Sequence, residues 1–217
     1  MDKMDESGID TIYKSKSLEE IPWNRETPPD ALVGLIKSGQ IKPCKCIDLG
    51  CGAGNYSVYM ASQGFEVTGV DLSPTAISLA RKNAQKKGVS CTFLVADILG
   101  DMAEVRGTFD FAFDWGVIHH IFPEKRPGYV AHVHRLLNPG GKYLSVCFST
   151  KDPAFNSTEK YRKTSLGTVL YFSSEDELRE LFSRCFKVIN LKTIEERAKL
   201  GSHLFNYVFM EKGNNRL

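Results

Sequence analysis

The sequence predicts an α/β fold, with a mostly parallel sheet of seven strands and helices packed on its faces. Three observations lead there. From about residue 45, short apolar runs alternate with stretches of helical periodicity, the pattern of successive βαβ units. Residues 46–54 read Cys-Ile-Asp-Leu-Gly-Cys-Gly-Ala-Gly, placing Gly50, Gly52 and Gly54 at alternate positions just after the first apolar run. A second run, Phe65-Glu-Val-Thr-Gly-Val-Asp71, then ends in an acid. Together these describe a crevice for a nucleoside. A buried strand ends, the chain turns on residues without side chains, and a ligand can approach the backbone and the next helix N-terminus. The neighbouring strand offers a carboxylate able to accept both ribose hydroxyls.

The strands fall near 45–49, 66–70, 91–96, 109–114 and 141–148, with helices near 55–63, 74–87 and 124–137 between them. Ser73-Pro74 puts an N-cap hydroxyl before a proline at the first helical position. Ser174-x-x-Glu177 is a capping box that opens a helix over Glu175–Arg184. Strands near 185–194 and 203–211 follow that single last helix, so they close as a hairpin and one strand of the sheet runs antiparallel. Two stretches stand outside the alternation. Residues 1–44 carry Ile21-Pro-Trp23-Asn24 and then Pro28-Pro29, which opens a helix through Ile36. Residues 149–172 form a long polar connection beyond the C-terminal end of a parallel strand, where open α/β sheets bind ligands. It reads as a substrate lid, with a plain surface loop as the alternative. The expected organisation is a single domain over 1–217. It comprises a helical cover (1–44), a cofactor-binding core (45–150), the lid (149–172) and a C-terminal helix and hairpin (173–217).

Composition narrows the function. The chain has 217 residues, enough for one sizeable core, with 42% hydrophobic and 25% charged residues as in ordinary globular proteins. No apolar run approaches the ~20 residues of a membrane helix. The polar start, Met1-Asp-Lys-Met-Asp-Glu, lacks an apolar core, so a cytoplasmic location is expected. A net charge of +2 with scattered Lys and Arg gives no face for neutralising phosphates, so no nucleic-acid partner is expected. Cysteines 44, 46, 51, 91, 147 and 185 lie mostly in strands or the glycine loop and read as reduced thiols. Cys44-x-Cys46 has no second pair to complete a zinc quartet, so no metal is expected. The oligomeric expectation is a monomer or homodimer.

A dinucleotide fingerprint would place its last glycine at position 55, which is Asn55. The pattern present, Asp48-x-Gly50-x-Gly52-x-Gly54, resembles the first motif of class I methyltransferases that use S-adenosylmethionine. Further segments match that family in order. Val95-Ala-Asp97-Ile98 resembles the adenine-reading motif, Phe109-Asp-Phe-Ala-Phe-Asp114-Trp115-Gly116 the segment beside the transferable methyl, and Leu136-Leu-Asn-Pro139-Gly140-Gly141 the approach to strand five. The resemblance covers residues 45–150 and implies a Rossmann-like three-layer sandwich. More narrowly, Asp114-Trp-Gly, then Ile121-Phe-Pro123-x-x-Arg126-x-x-Tyr129, together with Pro22-Trp23-Asn24, is similar to the thiopurine, halide/thiol and tellurite-resistance group of small-molecule methyltransferases. Asn24 departs from that group's usual acid, and the 149–172 connection differs in length and content.

The resemblance implies roles for named residues. Asp71, with Leu72 beside it, would hold the ribose, and Gly50, Cys51, Gly52 and Gly54 would cradle the cofactor. Asp48 would face its methionine end, or else stabilise the turn from within. Asp97 and Ile98 would meet the adenine, Trp23 would cover the cofactor, and Asp114 and Trp115 would lie beside the methyl. Arg126 could hold an anionic acceptor or be solvated on a helix surface. His119-His120 invites a general-base reading, although adjacent residues point apart and cannot serve one site together. A soft thiolate acceptor needs no strong base, which fits a sequence with no evident triad. The reaction implied is methylation of a small molecule, a thiol or other soft nucleophile. The alternatives are a nucleic-acid or protein methyltransferase, a non-catalytic cofactor-binding scaffold, and an NAD-dependent oxidoreductase, which Asn55 disfavours.

Overall fold

The computed structural model describes residues 6–199 and 201–213. The first five residues of the expected N-terminal cover lie outside them. Two helices, α1 (Glu6–Ser15) and α2 (Asp30–Lys37), precede the alternating core: β1 (Lys45–Leu49), α3 (Asn55–Ser62), β2 (Glu66–Asp71), α4 (Pro74–Lys87), β3 (Thr92–Val95), β4 (Phe109–Trp115), α5 (Arg126–Leu136) and β5 (Leu137–Phe148). A short ribbon, β6 (Tyr161–Lys163) and β7 (Val169–Tyr171), leads to α6 (Glu175–Ser183) and the closing hairpin, β8 (Phe186–Ala198) with β9 (Gly201–Lys212).

The sheet has seven strands in the order β3-β2-β1-β4-β5-β9-β8. β9 is antiparallel to β5 and to β8, so it alone reverses direction. The strand order reverses between β1 and β4, and the C-terminal ends there are Leu49, paired with Asp114, and Asp71, paired with Val95. This is the rim on which an open sheet of this kind binds ligands. Alternation along β4 splits the core. Ala112 faces the cluster with Tyr129, Tyr143 and Phe182, while Phe111 and Phe113 face the one with Leu32, Phe205 and Phe209.

Several boundaries differ from the sequence reading for local reasons. β5 begins at Leu137, four residues before the expected start, because Leu137 pairs with Phe109 across a bulge that restores register at Phe111 and Lys142. The hairpin strands extend beyond 185–194 and 203–211, pairing as far as Ala198 with Gly201. α1 was not expected, although Ile9, Ile12 and Tyr13 supply the apolar stripe that packs it on α4 with Ile21 and Ala76. The 149–172 connection carries the β6–β7 ribbon, organised by Arg162. That guanidinium is 2% exposed, lies 3.8 Å over the Phe172 ring, and donates to the carbonyls of Thr150, Asp152, Ala154 and Glu159.

Helix starts follow their local chemistry. The capping box at Ser174 and Glu177 forms in both directions. Pro29 has no side chain to cap α2, and Glu196 of β8 accepts from Ala31 N instead, at 3.1 Å. Ser73 Oγ accepts from Ala76 N at 3.0 Å and donates to Asp10 Oδ1 at 2.6 Å, so one hydroxyl caps α4 and ties it to α1. Ser73→Ala is therefore expected to lower stability by about 1–2 kcal/mol, read from the urea midpoint. An unchanged midpoint would contradict this account of the α1–α4 junction.

Candidate functional site

Gly50, Gly52 and Gly54 all have left-handed φ, at +72°, +53° and +74°. Their backbone turns the chain sharply from β1 into α3, a path that side chains resist. At Gly52, a Cβ would lie 2.6 Å from the Tyr13 hydroxyl, and at Gly54 it would lie 2.8 Å from Ala80 and 3.0 Å from Phe93. The loop is thus sandwiched between α1 on one side and α4 with β3 on the other. Cys51 lies over Gly69 of β2, and burial beside Asp48 and Asp71 pushes its thiol well up, leaving it neutral.

Asp71 closes the turn from the neighbouring strand. Its Oδ2 accepts from Gly52 N at 2.8 Å and its Oδ1 from Ser73 N at 2.9 Å. A carboxylate oxygen carries two lone pairs, so each oxygen retains one for a further donor. That is the requirement for gripping two adjacent ribose hydroxyls, and together with the bare glycine backbone it fits an adenosyl cofactor. Burial raises the Asp71 pKa, against the lowering pull of the Ser73, Gly52 and Leu72 amides. Leu72 is half-buried beside it. On the next loop, Asp97 is exposed, with Oδ1 accepting from Leu99 N at 2.8 Å, and Ile98 packs on the core.

Two further acids are fully enclosed. Asp48 Oδ2 accepts from Ser57 Oγ at 2.7 Å, and burial pushes its carboxyl up to about 7. Asp114 turns into the core between β5 and α5. Its Oδ2 accepts from Tyr143 OH, and from Tyr129 OH at 3.2 Å, while Oδ1 has no hydrogen-bond partner among the described residues. Burial raises it to about 6. Trp115 faces the opposite side of β4, edge-on to Tyr56 at 6.1 Å and 6.5 Å from Phe205. Asp114 and Trp115 are therefore neighbours in sequence on opposite faces of the sheet.

Arg126 is 3% exposed and its fork is engaged. It donates to the carbonyls of Ile121 and Ile118, at 2.7 and 2.9 Å, and to Ser173 Oγ at 2.8 Å. These contacts fix the turn that follows β4. His119 is buried within that turn, its Nδ1 3.5 Å from Phe148 N, and burial holds its pKa well below the usual range. His120 is lowered by burial to about 4.

The N-terminal arm packs against the glycine turn and α4. Tyr13 is buried, and its hydroxyl accepts from Trp23 Nε1 at 2.9 Å, while the Trp23 ring is 37% exposed. Asn24 accepts from Asn55 Nδ2 at 2.8 Å, and Asn55 accepts in turn from Asn83 at 2.8 Å. Asn55, which breaks the dinucleotide spacing, is thus a tether between arm, glycine loop and α4. Sequence reasoning missed Tyr13, although the Ile9-Ile12-Tyr13 stripe was there to find it. All six cysteines are free thiols, and among the described residues no three metal-ligating side chains converge. No helix among them is long and apolar enough to cross a membrane.

Residues 46–141 match a family model described as a methyltransferase domain. Among curated proteins, 2-heptyl-1-hydroxyquinolin-4(1H)-one methyltransferase of Mycobacteroides abscessus is 31% identical over 64% of this chain and 63% of its own length. Probable thiol methyltransferase 2 of Arabidopsis thaliana is 28% identical over 67% of this chain and 64% of its own. The chain thus spans less than two thirds of the length of these relatives. A solved structure concerned with the conversion of a disulfide bond into a thioacetal group during echinomycin biosynthesis superposes with a TM-score of 0.82. It is 26% identical and covers 98% of this chain and 93% of its own.

The buried acids give a pH signature. The Asp48 carboxyl ionises near 4 in the unfolded chain and near 7 in the fold, so the native state holds its proton more tightly. The stability this contributes is complete below about pH 4 and is lost as pH rises through about 7. The stability difference between wild type and Asp48→Asn, from urea titrations at pH 4 to 8, should shift against wild type over that window by on the order of a few kcal/mol. A pH-independent difference would contradict the assignment.

Proposed function

We propose that the chain is a class I S-adenosylmethionine-dependent methyltransferase, a reading supported by the methyltransferase-domain match over residues 46–141 and by the methyltransferases it resembles, and that it methylates a small molecule, a thiol or other soft nucleophile, in the cytoplasm. The observation that carries this reading is the Asp71 carboxylate. It is buried at the end of β2, bonded through one oxygen to Gly52 N of the glycine turn and through the other to Ser73 N at the start of α4, and has a lone pair left on each.

In this reading Asp71 binds the ribose hydroxyls, and Gly50, Cys51, Gly52 and Gly54 present bare backbone to the cofactor. Leu72, Asp97 and Ile98 border the adenine, and Asp48 supports the methionine side from beneath α3. When bound, the cofactor supplies a methyl group already activated on a sulfonium. The chain's own task is to align the acceptor in line with that methyl and to exclude water. Tyr13 and Trp23 of the arm, with the 149–172 connection, provide the cover. Trp115, with Tyr56, Phe148 and Phe205 around it, forms an aromatic wall suited to a flat acceptor. Asp114 and Arg126 shape this end from behind, through the Tyr129–Tyr143 pair and the turn after β4. The scattered charge and net +2 argue against a polymeric acceptor.

Calorimetry tests the reading. Asp71→Ala should weaken S-adenosylmethionine at least tenfold, because charge-assisted hydrogen bonds contribute about 1.5–3 kcal/mol each. Unchanged affinity in a folded variant would remove the ribose assignment. Methyl transfer from labelled cofactor should mark small thiols or hydroxyl compounds and spare total RNA and DNA. Labelled polymer with no labelled small product would overturn the acceptor class.

A further inference from the structure

We propose that His203, oriented by Asp152, is the general base that deprotonates the acceptor, and that the acceptor is an aromatic compound bearing a weakly acidic hydroxyl or thiol. This rests on the methyl-transfer reading above and adds to it a residue pair and a substrate class.

Asp152 follows β5 and is 1% exposed. Its carboxylate accepts from Leu204 N at 2.5 Å and Ala154 N at 2.7 Å, and both oxygens lie 3.3 Å from His203 Nδ1. An ionised carboxylate only accepts, so Nδ1 must carry the proton and Nε2 must present its lone pair. Nε2 has no hydrogen-bond partner among the described residues. The imidazole is partly exposed, stands edge-on to Phe148 at 5.4 Å and lies 6.3 Å from Phe205. Phe205 leads to Trp115 and Tyr56, so the His203 imidazole stands at the end of the aromatic wall at the binding rim of the sheet.

The tautomers separate this histidine from the two the sequence suggested. His119 Nδ1 accepts from the Phe148 amide, so its Nε2 is protonated and cannot take a second proton there. His120 is half-buried beside it with no carboxylate partner among the described residues. Other charged groups surround His203. Glu196 is its partner across the β8–β9 ladder, engaged with Ala31 N. Arg162 donates to the Asp152 carbonyl and balances that carboxylate. Neither donates a hydrogen bond to Nε2.

The step balances simply. As the new bond forms between the acceptor oxygen or sulfur and the methyl carbon, the methyl–sulfonium bond breaks and its electron pair returns to the cofactor sulfur. The acceptor's proton passes to Nε2 of His203, the imidazolium is stabilised by Asp152, and the proton then leaves to solvent.

A base matters only for an acceptor that is not already ionised, which gives a test that a purely structural role would fail. Wild type, His203→Gln and Asp152→Asn are assayed with S-adenosylmethionine and two probes: a simple phenol, neutral at the assay pH, and 4-nitrothiophenol, already a thiolate. With the phenol, His203→Gln should lose about 10²- to 10⁴-fold in kcat, whereas with the thiolate the loss should stay within a few-fold. Cofactor affinity by calorimetry should be unchanged. Nitrogen NMR of the wild-type imidazoles should show His203 protonated on Nδ1 when neutral, a preference that Asp152→Asn weakens. Equal losses on both probes, no loss on either, or an Nε2-protonated His203 would overturn the base. Turnover of neither probe by wild type that binds S-adenosylmethionine would overturn the acceptor class. Failure to bind the cofactor would instead overturn the underlying methyl-transfer reading.

Discussion

The site depends on one carboxylate joining two pieces of backbone. Asp71 bonds the amide of Gly52, in the turn after β1, and the amide of Ser73, at the start of α4. Those two amides belong to successive βαβ units, so their separation sets the width of the crevice between them. The glycine turn cannot relax to suit itself. Gly52 is left-handed beneath the Tyr13 hydroxyl, and Gly54 is pressed against Ala80 and Phe93. The crevice is consequently pre-shaped before any ligand arrives, which reduces the ordering cost of binding. Burial raises the pKa of Asp71, and its backbone bonds offset part of that.

The arm is built differently from the core it covers. Its apolar contribution is a small cluster of Tyr13, Ile21 and Ala76 with a few half-buried neighbours. Polar ties do the rest. Asp10 reaches Ser73 and Thr75, and its pairing with Lys14 helps hold it ionised. Asn24 meets Asn55, and Lys199 at the hairpin tip donates to the carbonyls of Leu18, Ile21 and Asn24. Segments with few apolar contacts and many exposed hydrogen bonds open at lower free energy than a sheet core.

The sequence made the parallel core legible because its signals are local. Glycine spacing, a strand-terminal acid, Ser73-Pro74 and the Ser174 capping box each act within a few residues of themselves. The single reversed strand also followed, since one last helix left two strands to close on each other. What stayed hidden depends on distant partners. The His203–Asp152 pair spans 51 residues, and neither residue has a neighbour in sequence that hints at the other. Arg162 reads as one more charge in a polar stretch, yet it is buried under four carbonyls because the connection folds around it. Arg126 and Asp114 were read for chemistry from their positions near β4. Their side chains enter the core, where they hold the turn and the paired tyrosines.

In the proposed reading the rim of the sheet is a site of two halves, a polar nucleoside grip over β1 and β2 and an aromatic wall over β4, β5 and β9. The central claim is that the first half is an adenosyl site and not a dinucleotide one. Calorimetric titration of the wild-type protein with S-adenosylmethionine, its demethylated product and NAD tests this most directly. The account requires saturable one-to-one binding of the first two and none of the third. Binding of NAD with no heat from either adenosyl ligand would contradict it.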